Sequence, residues 1–109
     1  GLVNGEVMFS TTRIDPTALS MFYKMADVTI AVSDAEGFGL SMQESISCGV
    51  PIIATVTGGM QDQIFTDSGD PCGVPLFPTS KAVIGSQQVP YIYEDRLSAD
   101  HVKSALSNI

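Results

Sequence analysis

Basic residues are scarce in this chain. Five Lys and Arg stand against twelve Asp and Glu, for a net charge of −7. Nucleic acid and anionic membrane surfaces both call for clustered Lys and Arg, so neither is expected as a partner. The acids are scattered rather than in one block, which reads as a solvated exterior. Cysteine is also sparse. Cys48 and Cys72 lie 24 positions apart, a spacing that fits no zinc or redox pattern. They read as buried free thiols, and the compartment as a reducing one, the cytoplasm. The single histidine, His101, reads as a surface residue, since no base-plus-nucleophile set surrounds it. No apolar run approaches the roughly 20 residues of a membrane span. The opening "GLVNGEVMFS" lacks the basic and apolar blocks of a signal peptide, so neither a span nor a leader is expected.

What is present is globular. With 109 residues, 44% apolar and 16% charged, the composition supports one domain over residues 1–109 with one core. Residues 6–10, "EVMFS", read as a strand. "DPTALSMFYKMAD" reads as a helix, with Asp15 as cap, Pro16 in the first turn, and Leu19, Phe22 and Tyr23 at helical spacing. Residues 28–33 read as a β-branched strand. "LSMQESISC" reads as a short helix stopped by Gly49 and Pro51, and "PIIATVT" as a buried strand. Gly58 and Gly59 then lead into an expected helix, "MQDQIFTD". "CGVPLF" reads as a strand, residues 77–96 as a long loop, and "SADHVKSALSNI" as a final helix. Ser98 is its expected cap, with Val102, Leu106 and Ile109 on its apolar face. The methionines, Met8, Met21, Met25, Met42 and Met60, read as core filler. Alternation of strands and helices makes the fold α/β, a parallel sheet with flanking helices.

The chemistry concentrates in "SDAEGFGLSMQES", which runs from a strand end to a helix start. Ligands of open parallel sheets bind beyond the carboxyl ends of the strands. Glycines let a backbone approach a ligand closely, and the free amides of a helix start favour an anion such as phosphate. Glu36 and Glu44 bracket this turn. Ionised carboxylates only accept hydrogen bonds and suit a partner rich in hydroxyls. Together these groups suggest a phosphorylated sugar compound such as a nucleotide-sugar. From spacing alone, the alternative stays open that Glu36 is a loop surface residue and Glu44 an exposed helix residue.

The stretch "MFYKMADVTIAVSDAEGFGLSMQESISCGVPIIATVTGGMQDQI" resembles the C-terminal domain of retaining glycosyltransferases with the GT-B fold, the group often called family 4. The resemblance rests on Tyr23, Ala26-Asp27, Ser33, Glu36-Gly37-Phe38-Gly39-Leu40, Glu44, Cys48-Gly49-Val50-Pro51 and Gly58-Gly59, in order and spacing. It implies an incomplete Rossmann-like, GT-B C-terminal domain that binds a nucleotide-sugar as donor substrate. Glu36 would be the catalytic-side carboxylate, contacting the donor sugar near the reacting carbon. The backbone of Gly37, Phe38 and Gly39 would line that sugar, and the amides of Leu40 and Ser41 would hold the distal phosphate. Glu44 would bind the ribose. The loop around Ser10, Thr11 and Thr12 would lie near the base. The family needs no metal and no further cofactor.

Some positions depart from the pattern. Ser41 stands where the family often has proline, and "SIS" at 45–47 replaces a common Ala-Met-Ala run. Asp62 lies near a frequent glutamate, where it contacts ligand or serves as a first-turn acid favoured by the helix dipole. The basic loop that neutralises the diphosphate has no counterpart, and Arg13 reads as a surface residue. The acceptor domain is missing as well. The chain therefore reads as part of a longer glycosyltransferase, partnered by an acceptor domain or upstream segment, with little or no turnover alone. The competing reading is a non-catalytic binding or interaction module that kept the half-fold. With strand 6–10 lacking neighbours, its open edge points to a homodimer. Tyr91 and Tyr93 either stack on a base or sugar ring or lie half buried in a loop packed on the domain.

Overall fold

The computed structural model describes residues 4–33, 38–89 and 91–109, and only the backbone of Glu94 and Asp95. Three parallel strands form the main sheet, in the order β1 (Thr29–Ala31), β2 (Ile52–Thr55), β3 (Gly73–Leu76). Helix α1 (Pro16–Met25) precedes β1, and α2 (Leu40–Ser47) connects β1 to β2. A 3₁₀ helix (Gly58–Asp62) lies on the way to β3. An antiparallel pair follows, β4 (Ser80–Ile84) with β5 (Ile92–Arg96), and α3 (Ala99–Asn108) closes the chain. The expected parallel sheet with flanking helices is the observed architecture.

Strand β2 explains the architecture. It is central and parallel on both sides, and all four of its residues are buried. Side chains alternate across a strand, so a strand covered on both faces must be apolar throughout. Ile52 and Ala54 pack with Met42 of α2 and with Met60 and Ile64 beyond the sheet. Ile53 packs with Leu76 of β3 and Ala105 of α3 on the opposite face. Helix α2 therefore covers one face and α3 the other. Pro75 lies in β3, an edge strand, where a missing backbone donor is tolerated.

Local chemistry sets the helix ends. Asp15 caps α1 through its carboxylate oxygen, which accepts from the amides of Thr17 at 2.9 Å and Ala18 at 3.1 Å. Pro16 follows in the first turn, where its missing N–H costs nothing. Gly49 ends α2 in the left-handed region, with φ of 76°, and its amide donates back to the Ile46 carbonyl. Ser98 occupies the cap position of α3 without a side-chain bond, and its carbonyl accepts from the His101 amide instead.

Several expectations fail on packing grounds. Residues 6–10 form no strand. They are exposed, and without a partner ladder an extended segment has nothing to hold it. The strand edge from which a homodimer was expected is thus absent there, and β1 is an open edge of the main sheet instead. The expected helix 60–67 is a five-residue 3₁₀ turn, and Phe65 bridges to Pro71 beyond it. Asp62 is therefore the last residue of that turn, not a first-turn acid.

The long loop 77–96 is a hairpin. Ser80 pairs with Arg96 and Ile84 with Ile92, and Gly85 at φ of 135° begins the connection. Among the methionines only Met42 and Met60 are core; Met8, Met21 and Met25 are exposed. Helix α3 buries Ala105 and half-buries Val102, while Leu106 and Ile109 face outward. His101 is half-buried rather than a surface residue. Cys48 and Cys72 are free, as expected, but only half-buried. No helix among the described residues is long and apolar enough to cross a membrane.

Candidate functional site

The turn before α2 is built by one glycine. Gly39 has φ of 78° and ψ of 53°, a left-handed conformation that L side chains adopt at a cost. A Cβ placed there would lie 2.9 Å from Met60 Cγ and 3.4 Å from Met42 Sδ. Both the backbone angle and the close approach therefore require glycine. The Gly39 carbonyl accepts from the amides of Met42 and Gln43, so α2 starts its ladder immediately. That leaves Leu40 and Ser41 as the first-turn amides with no acceptor inside the helix. No acidic side chain occupies this first turn, and among the described residues no side chain is seen to cap it. The partial positive charge of such a helix start favours an anion.

A neighbour that the sequence reading did not single out braces this turn. Gln63, just after the 3₁₀ helix, donates its side-chain amide to the Phe38 carbonyl. Its side-chain oxygen is buried with no partner among the described residues. Met60 packs beneath Gly39, so the 3₁₀ segment supports the turn from below. The only signal in the sequence was proximity to the Gly58-Gly59 pair, and the weight there fell on Asp62, which is exposed.

Glu44 sits one turn into α2, exposed, and its carboxylate accepts a hydrogen bond from the Tyr23 phenol at 2.9 Å. Helices α1 and α2 enclose a groove of about 320 Å³ here, lined by Pro16, Leu19, Tyr23, Gln43, Glu44 and Cys48 among others. This lies at the low end of ligand pockets, roughly 300–1,000 Å³. Burial raises the Tyr23 pKa to about 12, and the bond to Glu44 and its negative charge push the same way. The sign follows from the pair. The neutral phenol donates to the carboxylate, whereas a tyrosinate would face a second anion. Stability from this contact is intact below the ordinary tyrosine value of 10.0 and is lost as pH climbs toward 12. A spectrophotometric titration of wild type minus Tyr23→Phe should therefore show one tyrosine ionising near 12, and Glu44→Gln should lower that value. A difference curve centred near 10 would refute the contact.

Buried polar groups tie α2 to the sheet. Ser45, fully buried, shares a 2.8 Å hydrogen bond with the Thr29 hydroxyl of β1 and reaches the Val50 carbonyl at 3.2 Å. A hydroxyl can stand in place of a small apolar residue here because its hydrogen bonds are satisfied.

The remaining expected site residues are placed less fully. Phe38 and Leu40 are exposed at the start of α2, and Ser41 is exposed beside them. Glu36 and Gly37 lie outside the described residues. Ser10 and Thr11 are exposed, and the Ser10 hydroxyl donates to the Thr12 carbonyl at 3.3 Å. Tyr93 is exposed on β5 and Tyr91 is exposed just before it, so neither is half buried against the domain. Among the described residues, no group of three or more His, Cys, Asp or Glu is placed to hold a metal ion.

The D-inositol 3-phosphate glycosyltransferase of Acidothermus cellulolyticus is 47% identical over 45 residues, covering 41% of this chain and 10% of that protein. That of Pseudarthrobacter chlorophenolicus is 40% identical over 67 residues, covering 59% of this chain and 16% of that protein. That of Thermomonospora curvata is 41% identical over 46 residues, covering 42% and 11%. The chain thus spans about a sixth or less of the length of these relatives. The family model for glycosyl transferases group 1 matches residues 2–85, which takes in the sheet, α1, α2 and the glycine turn. This chain belongs to the glycosyl transferases group 1 family.

Proposed function

We propose that this chain is the donor-binding part of a retaining, family 4 type GT-B glycosyltransferase, which moves a sugar from a nucleotide-sugar to an acceptor. The observation that carries the reading is the start of α2. After a left-handed Gly39, Leu40 and Ser41 are exposed first-turn residues whose amides have no acceptor inside the helix, and a carboxylate, Glu44, stands one turn further along. Amides at a helix start suit a phosphate, and a carboxylate suits the hydroxyls of a ribose. In this reading the Leu40 and Ser41 amides hold the distal phosphate. The backbone of Gly37, Phe38 and Gly39 lines the donor sugar, and Glu36 contacts it near the reacting carbon. The Ser10 and Thr11 segment lies toward the base. As the glycosidic bond breaks, the leaving diphosphate gains charge, and aimed amides stabilise it without a metal.

A second reading, a binding module without transfer, is favoured by one observation. Among the described residues lining the groove beside Glu44, none is a Lys or Arg. A diphosphate leaving group calls for positive charge beyond a helix dipole, so the isolated chain is proposed to bind donor weakly and to lack turnover.

The test is ligand-observed NMR of the chain against UDP-, GDP- and ADP-glucose at millimolar concentration. One nucleotide series should bind. A hydrogen bond to a charged group contributes about 1.5–3 kcal/mol, so Glu44→Ala should weaken binding by roughly tenfold or more. Failure of all three to bind, or equal binding by the variant, would reject the donor-site reading. Supplying an acceptor-domain half then separates the two readings: sugar transfer supports the enzyme, and binding without transfer supports the module.

A further inference from the structure

We infer that Tyr23 is a positioning residue for the ribose-binding carboxylate, its phenol fixing one oxygen of Glu44 so that the rest of the carboxylate faces the ribose hydroxyls. The inference rests on the donor-site reading above. Tyr23 is on α1 and Glu44 on α2, 21 positions apart, and their 2.9 Å bond joins the two helices across the groove. Glu44 is exposed, and a long exposed carboxylate samples several rotamers. Holding it before the ligand arrives removes an ordering cost from binding.

The phenol is itself well held. Tyr23 is half-buried, its carbonyl accepts from the Ala26 amide that closes α1, and Leu19 lies beside it along the groove. On the other side, α2 is fixed to β1 through Ser45 and Thr29. The bond therefore spans two anchored elements. An ionised carboxylate offers about four acceptor positions, and the phenol uses one. The others remain for two neighbouring hydroxyls, the pattern that a ribose presents. Among the described residues that line the groove none is a cation, so the neutral phenol orients the carboxylate without cancelling its charge.

A purely structural brace between α1 and α2 would make the same bond, so the test must read the ribose itself. Wild type, Tyr23→Phe and Glu44→Ala are compared for binding of UDP-, GDP- and ADP-glucose and of their 2′,3′-dideoxyribose counterparts. Circular dichroism checks that each variant is folded. Wild type should prefer the ribose form about tenfold, and Glu44→Ala should remove the preference. Tyr23→Phe should cut it at least about threefold while leaving affinity for the dideoxy form unchanged. An unchanged preference in Tyr23→Phe overturns the inference, as does an equal loss for both forms, which is the signature of a brace. If wild type shows no preference, or Glu44→Ala keeps it, the donor-site reading itself fails and this inference falls with it.

Discussion

Gly73→Ala is expected to destabilise this fold more than a substitution of one methyl normally does. Gly73 opens β3 opposite Ile52 of β2. A Cβ built there would run into the Ile52 carbonyl oxygen and lie 2.7 Å from the backbone carbon and nitrogen of Ile52. These are backbone atoms of the central strand, and no rotamer change moves them. The first rung of the β2–β3 ladder must open, and with it the seat of Leu76 against Ile53. Overpacking of side chains commonly costs about 1–3 kcal/mol. A clash with a buried backbone should exceed that, at about 3 kcal/mol or more, against a total stability of roughly 5–15 kcal/mol. Gly69→Ala is the control. Gly69 has φ of 87° but nothing within 4 Å of a new Cβ, so only the left-handed strain of about 1–2 kcal/mol applies. Urea unfolding of the two variants decides the matter, and the argument fails if Gly73→Ala costs no more than Gly69→Ala.

The sheet and its helices were legible because their signals are local and agree with each other. Asp15 followed by Pro16 marks a helix start by chemistry that needs no tertiary context, and both residues take those roles in α1. The unbroken apolar run of β2 announces a strand covered on both faces. The hairpin was missed because Pro78 and Pro90 suggested a loop. Pro78 lies outside the strands and Pro90 outside the described residues, and Val83 and Ile84 facing Tyr93 and Ile92 carried the β signal. The strand expected at 6–10 was misread for the opposite reason. Its residues have strand character, but strand formation depends on a neighbouring ladder, which no local pattern reports.

Half of the candidate site was legible in the same way. A glycine before a helix, and a carboxylate one turn in, can be read as a phosphate and hydroxyl site before any coordinates exist. The supports could not be read. Gln63 reaches Phe38 across 25 positions, and Tyr23 reaches Glu44 across 21. Such contacts arise from how elements cross, and periodicity within one element contains no information about them. Tyr23 did stand out as the aromatic near the end of its helix. Its hydrogen-bond partner emerged only when α1 was seen beside α2.

The two faces of β2 should also separate in their effects on the site. Ile52→Ala and Ile53→Ala each empty a fully buried position, and each should cost about 2–5 kcal/mol. Ile52 shares a cluster with Met42 of α2 and with Met60, the residue under the Gly39 turn. Ile53 instead meets Leu76 and Ala105 of α3. Amide exchange should therefore accelerate chiefly over residues 40–47 in Ile52→Ala and over residues 99–108 in Ile53→Ala. The Tyr23 titration should follow the first variant, moving down from about 12 as α2 loosens, and should be indifferent to the second. Equal acceleration of both helices in both variants would mean that the domain opens as one unit and that the site shares the stability of the whole. The expected asymmetry has a functional reading. The groove, the glycine turn and the carboxylate are mounted on one face of the sheet, so substitutions under α3 can alter stability while leaving the geometry of α2 in place.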